Sequence, residues 1–197
     1  APLNVKADPY RIVFEGNVSF GPNVDGVLYF CNTILPLIHA ELPEVRFQIV
    51  GKDPAPEVLA LRSDSVEVTG FVEDIRPYLA AANVFVCPLR KGAGIKNKIL
   101  QAWAMGKAVV ATPAAVGGLK TQEGDNILVR ETAPAFAAAV VELVRDPARA
   151  ARMGVAARET IVQHYTWEAK ASELERVLLR AAAKPSDTGR LFKASHA

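Results

Sequence analysis

The sequence predicts an α/β fold: a Rossmann-like parallel sheet of about six strands with helices on both faces, followed by a helical C-terminus. Two observations predict it. Short runs rich in Val, Ile and Phe, apolar on both faces, alternate with stretches whose apolar residues recur every three or four positions. Glycines close run after run, where a sheet edge must turn or let backbone come near a ligand.

Residues 11–16 read as the first buried strand, closed by Gly16. Val24, Val27, Leu28, Cys31, Leu35, Ile38 and Leu42 then recur at helical spacing. Pro36 is expected to kink that helix, because it removes a backbone donor. Residues 45–51 form the second strand, with a short helix over 56–62, and residues 66–71 form the third. Asp74 is placed as the N-cap of a helix carrying Ile75, Tyr78, Leu79 and Ala82. The fourth strand spans 84–89, a helix reaches Gly106, and strands over 108–112 and 126–129 complete the sheet. Three helices follow. Phe136, Ala139, Val140, Leu143 and Val144 mark the first, which Asp146-Pro147 ends, and the second runs through Met153 and Ile161 to Tyr165. The third carries Trp167, Ala171, Leu174, Val177 and Leu178, with Tyr165 and Trp167 expected to anchor it. Residues 1–184 are taken as one domain and 185–197 as a polar, disordered tail.

Composition narrows the function. Half of the 197 residues are hydrophobic, enough for a core, and 22% are charged, as in ordinary soluble proteins. A net charge of +2, with both signs interspersed, argues against a general nucleic-acid binder. Cys31 and Cys87 both lie among apolar neighbours, which predicts free buried thiols and a reducing, cytoplasmic compartment. No stretch is long and apolar enough to read as a membrane span, and there is no signal-peptide pattern. The chain starts without Met on a short polar lead, and we read it as a fragment of a longer protein.

The segment that carries most chemistry is Arg90-Lys91-Gly92-Ala93-Gly94-Ile95-Lys96-Asn97-Lys98-Ile99-Leu100-Gln101. It joins the fourth strand to a helix start. Its two glycines allow close approach of backbone to an anion, helix-start N–H groups add donors, and Arg90, Lys91, Lys96 and Lys98 add charge. It matches neither GxxxxGKS/T nor GxGxxG, so the pattern alone leaves an anion site and a solvated basic turn both open. Comparable loops at the same predicted edge are residues 16–22, 51–53, 70–74 and 112–119.

Several segments together resemble the C-terminal, donor-binding domain of retaining glycosyltransferases of the GT-B fold, family 4, also described as glycosyl transferases group 1. The matching stretches are Phe14-Glu15-Gly16-Asn17 with Pro22-Asn23-Val24-Asp25, Phe47-Gln48-Ile49-Val50-Gly51, and Val68-Thr69-Gly70-Phe71-Val72-Glu73-Asp74. Next come Gly92-Ala93-Gly94-Ile95-Lys96-Asn97-Lys98-Ile99-Leu100-Gln101-Ala102 and Ala104-Met105-Gly106-Lys107-Ala108-Val109-Val110-Ala111-Thr112, then Gly117-Gly118-Leu119. The order holds from residue 10 to 180, and GAGIKNK is similar to the loop of polysaccharide and exopolysaccharide sugar transferases. The resemblance implies one half of a GT-B fold, binding a UDP- or GDP-sugar without a metal or other cofactor. A saccharide or lipid-linked acceptor would be held by an amino-side domain absent from this chain. It also implies a cytoplasmic enzyme, with peripheral association of the full-length protein at the inner face of the membrane.

Carried over by position, Gly70, Phe71 and Val72 would flank the base, while Gly94, Ile95 and Lys96 would meet the diphosphate. Gln101 would meet the ribose hydroxyls. Gly16 and Asn17 stand where the family's first phosphate-binding loop lies. Two departures are visible. Family members usually carry Glu at position 101, and Gln101 offers one carbonyl acceptor in place of a carboxylate. The EX7E pattern would want Glu where Ala93 stands, and the family's Arg and Lys after the first-strand glycine are replaced in the region of Asn17 and residues 20–23. Lys96, Lys98 or Arg90 is then expected to supply the charge, and the isolated fragment is expected to be inactive. The resemblance leaves the catalytic residues unassigned. A nucleotide-sugar epimerase half and a non-catalytic nucleotide-sugar-binding module are the alternatives.

Other candidates have structural readings. His39, His164 and His196 lie beside no nucleophile and in no metal spacing, and no metal site is expected. Trp103 is assigned to packing rather than sugar stacking, and Glu123 with Asp125 to a turn.

Overall fold

The computed structural model describes residues 5–182. All six strands are parallel and form one sheet: β1 (Arg11–Glu15), β2 (Arg46–Val50), β3 (Val66–Val68), β4 (Val84–Cys87), β5 (Ala108–Ala111) and β6 (Leu128–Val129). Their order is β3-β2-β1-β4-β5-β6. The chain builds outward from β1 to β3, returns, and builds the other way from β4, so the order reverses between β1 and β4. In open parallel sheets that reversal opens a crevice at the carboxyl ends of the strands.

The strands are apolar throughout because both faces are covered. Ile12, Val13 and Phe14 of β1 and all four residues of β4 and of β5 are buried. Phe47 on β2 packs against Phe30, with ring centroids 4.5 Å apart, and Phe30 meets Phe136 of the helix after β6 at 6.0 Å. Cys31 and Cys87 are both free, but only Cys87 is buried as expected, and Cys31 is half-buried.

The single helix expected over 24–42 is three segments: α1 (Gly21–Tyr29), a π turn (Phe30–Ile34) and α2 (Leu35–Glu41). Pro36 explains the break. It has no N–H to give, and its ring crowds the carbonyl four residues back. The chain widens by one residue, so that the Leu35 N–H reaches Phe30 O instead. Further helices are α3 (Pro56–Leu59), α4 (Arg76–Ala81), α5 (Asn97–Ala104), α6 (Ala133–Arg145) and α7 (Pro147–His164).

Two local expectations are corrected. The third strand stops at Val68 rather than running on to residue 71, because Gly70 turns the chain with φ 76°. Asp74 is not the N-cap of α4. Ile75 holds that place, and Asp74 accepts from the Arg76 N–H at 2.9 Å while its two oxygens grip the Arg76 guanidinium.

Two glycine contacts fix the sheet at its ends. A Cβ on Gly51 would overlap the Gly16 carbonyl, which locks the carboxyl ends of β1 and β2 together. A Cβ on Gly154 would overlap the Gly106 carbonyl, which seats α7 on the turn before β5. Gly106 has φ 65°, a left-handed conformation suited to the end of α5.

The sheet unit extends through Ile161, and a second unit begins at Val162. The latter contains α8 (Trp167–Ala182), capped by Thr166, whose hydroxyl accepts from the Ala169 N–H at 3.1 Å. None of its residues is buried, and Trp167, expected as an anchor, is exposed. The domain limit at residue 184 and the tail over 185–197 lie outside the described residues. No helix among the described residues is long and apolar enough to cross a membrane.

Candidate functional site at the carboxyl edge

A cavity of about 420 Å³ opens where β1 and β4 diverge. One wall is the turn after β1. There Gly16 N donates to Val50 O at 3.0 Å, and Asn17 accepts from the Ser19 N–H and hydroxyl at 2.9 and 2.7 Å. The Asn23 amide nitrogen donates to Asn17 O at 2.7 Å, so the first turn of α1 closes this wall.

The other wall is the loop after β4. Its stem is held to α1 by Arg90, whose Nε and Nη2 donate to the two Asp25 oxygens at 3.1 and 2.6 Å while its guanidinium lies 4.8 Å from the Tyr29 ring centre. Those bonds hold the Asp25 carboxyl below its usual range. Lys91 Nζ adds a 3.8 Å contact to Asp25. Gly92 and Gly94 then turn the loop with φ values of 121° and 77°, conformations that an L side chain rarely takes. Lys96 folds back, its Nζ donating to Ala93 O and Gly94 O at 2.7 and 3.0 Å. Lys96 is also the N-cap of α5 and supplies no capping side chain, so the first amides of that helix have no side-chain acceptor.

Lys98 joins the two walls. Its Nζ donates to Glu15 O at 2.7 Å and to Asn23 Oδ1 at 2.9 Å, and it stands 4.0 Å from the centre of the Phe14 ring. Burial pushes its pKa down, partly offset by the neighbouring Glu15 carboxylate. Burial likewise pushes Glu15 up against the opposing pull of Lys98. The charges are desolvated together, and one cation is fixed at the point where the strand order reverses.

Of the residues expected from the sequence, the cavity collects Gly16, Asn17, Ile95, Lys96, Lys98 and Gln101. Gly94 shapes the loop without lining the cavity, and Arg90 is committed to Asp25. Gly70, Phe71 and Val72 lie in the separate loop after β3 and line no part of it, with Phe71 72% exposed. Lys91, counted among the loop's cations from the sequence, lines it as well, whereas sequence reasoning gave no binding role to Glu15, Phe20, Pro22, Asn23 or Leu89. Glu15 carried a signal: it is the acidic residue that closes the apolar run over residues 12–14.

The remaining candidates have structural partners. Trp103 is fully buried, as packing requires. Glu123 accepts from Val129 N at 2.8 Å and from Arg130 at 2.5 Å, clamping the turn before β6. His39 Nε2 bonds Val45 O at 2.9 Å. Burial raises both thiols, Cys31 and Cys87, to about 12, which leaves neither a nucleophile. A second groove of about 290 Å³ is lined by Arg11, Arg46 and Arg62. There Arg62 donates to Val68 O at 2.8 Å and Arg11 lies 3.6 Å from Asp8, so two of its three arginines are engaged within the chain.

Residues 9–146 match the family model described as glycosyl transferases group 1. The lipopolysaccharide core biosynthesis glycosyltransferase LpsE of Rhizobium meliloti is 33% identical over 109 residues, 54% of this chain and 32% of the relative. A GDP-mannose-dependent alpha-(1-6)-phosphatidylinositol monomannoside mannosyltransferase of Mycolicibacterium smegmatis is 29% identical over 160 residues, 73% of this chain and 42% of that protein. The chain thus spans less than half the length of these relatives. Among solved structures, S. aureus TarM superposes with a TM-score of 0.75 at 19% identity, covering 91% of this chain and 36% of that one. That last likeness is one of fold.

Proposed function

Because the chain belongs to the glycosyl transferases group 1 family, we propose that its carboxyl-edge cavity binds the nucleoside-diphosphate part of a sugar donor. In this reading the longer enzyme transfers the sugar to a saccharide or lipid-linked acceptor held by a second domain. It works in the cytoplasm or against the inner face of the membrane. The observation that carries the reading is Lys98, a desolvated cation fixed at the β1–β4 switch point beside the glycine loop and the open start of α5.

The chemistry follows from charge. When the bond between sugar and diphosphate breaks, negative charge grows on the departing phosphate oxygens. Lys98 and the backbone amides from Gly94 into α5 are donors already arranged to receive it, and Lys96, its ammonium held on the loop carbonyls, adds positive charge beside them. The Arg90–Asp25 pair keeps the loop stem in place while its glycines let the amides come close. Gly70, Phe71 and Val72, on the loop after β3, are assigned to the base. Gln101 is assigned to the ribose, Gly16 and Asn17 to the phosphate end.

Calorimetric titration with UDP, GDP, UDP-glucose and GDP-mannose tests this. Binding of a diphosphate, with much weaker binding of the matching nucleoside, is the expected result. A chain that binds none of them contradicts the reading. Gln101, in place of a ribose-binding carboxylate, favours a second reading as a non-catalytic nucleotide-sugar-binding module. Product analysis on the longer protein separates the two, since only the transferase forms a new glycoside.

A further inference from the structure

Glu15 is the one carboxylate among the described residues that line the carboxyl-edge cavity. It ends β1, opposite Val50 in the register, and alternation puts it on the same face of the sheet as Val13. What the fold draws from its carboxylate is a nearby negative charge for Lys98. Lys98 bonds the backbone carbonyl of Glu15, which any residue at that position would provide. Among the described residues no hydrogen bond reaches the side-chain oxygens, although burial is the main influence on the group. A partly buried carboxylate without a donor is a cost to folding. It is also an acceptor held ready in a cavity whose other charged lining residues are lysines.

The cavity therefore offers two kinds of chemistry side by side. Lysines and amides suit phosphate oxygens, and a carboxylate suits hydroxyl groups. A nucleotide sugar presents both. A carboxylate can accept from two adjacent hydroxyls with one charged oxygen for each, whereas Gln101 offers both hydroxyls a single neutral carbonyl oxygen. We propose that Glu15 is a donor-binding residue that accepts hydrogen bonds from a vicinal hydroxyl pair of the nucleotide sugar, an assignment that rests on the nucleotide reading above. The pair belongs either to the ribose or to the transferred sugar.

The test is calorimetry on the 197-residue chain and its Glu15→Gln variant. The probes are UDP, 2′-deoxy-UDP and UDP-glucose, with GDP, 2′-deoxy-GDP and GDP-mannose in parallel. If the hydroxyls are those of ribose, Glu15→Gln binds the diphosphates about tenfold more weakly. It then also loses the parent's discrimination against the 2′-deoxy forms, which a purely structural role would leave intact. If they belong to the transferred sugar, the diphosphates are unaffected and only the sugar nucleotides weaken. Either result supports the proposal. A variant that binds every probe as tightly as the parent, or more tightly, overturns it and makes Glu15 only a like-charged neighbour of the diphosphate. A parent that binds no probe overturns the nucleotide reading and this proposal with it. Should Glu15→Gln fail to fold, Glu15→Ser repeats the comparison, and failure of both would assign the carboxylate to the fold and overturn the proposal.

Discussion

Lys98 and Lys107 stand at opposite ends of the parallel sheet, the first in the opening turn of α5 at the carboxyl edge and the second just before β5. Each is partly buried, each has its pKa pushed down by burial, and each gives its ammonium to two oxygens. Their surroundings separate them. Lys107 donates to Ala80 O and Ala82 O at 2.8 and 2.9 Å, the last carbonyls of α4, where a cation also meets the negative end of the helix dipole. Lys98 bonds one carbonyl and one side-chain amide oxygen, on Asn23, beside a carboxylate and an open cavity. Desolvation of a lysine therefore does not mark a binding site. Partners that an incoming anion can replace or share do.

The widest separation between the two is expected in ligand affinity. Lys98→Met keeps the length of the side chain and removes its charge, so diphosphate binding should fall about 10- to 100-fold, the loss of one charge-assisted hydrogen bond of about 1.5–3 kcal/mol. Binding of the uncharged nucleoside should hardly change. Titrating the parent and the variant with UDP or GDP, and with uridine or guanosine, measures both. Equal loss for nucleotide and nucleoside would mean that Lys98 only props the two walls apart, which makes it a second Lys107.

Lys107→Met reverses the pattern. Affinity should stay at the parent's value, while the chain loses about 1–2 kcal/mol of stability as two carbonyls at the end of α4 go without their donor. For a chain of this size that is roughly 2–4 °C of Tm for each kcal/mol. The pH dependence has a definite sign. The folded pKa of Lys107 lies below its usual 10.5, so between those values the unfolded chain binds more protons than the folded one. Stability carried by this residue therefore rises with pH across that window, and the gap between parent and Lys107→Met widens as pH approaches 10.5. A gap that narrows instead would show that the ammonium is favoured, not penalised, by the fold.

How legible the two lysines were follows from how far each contact reaches along the chain. The alternation of strands and helices was local, and it led to a parallel sheet ending in helices. The glycines of the loop after β4 were equally plain, because a left-handed turn leaves few choices of residue. What local pattern could not carry was the pairing of Lys98 with Asn23 and Glu15, which are 75 and 83 positions away. Lys98 and Lys96 read alike as basic residues at a helix start, and only packing across the switch point distinguishes them. Likewise Pro36 announced a break in its helix but not its form. A π turn and a kink answer the same missing N–H, and the π turn found here begins at Phe30, which packs against Phe47 and Phe136 far along the chain.

Lys96 gives the finest test, and the smallest expected effect. It lies two residues from Lys98, lines the same cavity and would contribute the same charge to a diphosphate. Its ammonium, however, is spent within its own loop on Ala93 O and Gly94 O, in a more solvated setting where salt and water weaken each interaction. Lys96→Ala should therefore lower diphosphate affinity only about two- to fivefold, an effect of up to ~1 kcal/mol. That loss should shrink further as salt is raised from 50 to 500 mM, because exposed charges are screened within about 10 Å or less. The loss at Lys98 should persist over the same range, since its Nζ sits between two walls rather than at the surface. Calorimetry of both variants at the two salt concentrations makes the comparison. If the two losses were equal and equally sensitive to salt, the cavity would be an ordinary basic surface, and position at the switch point would confer nothing on Lys98.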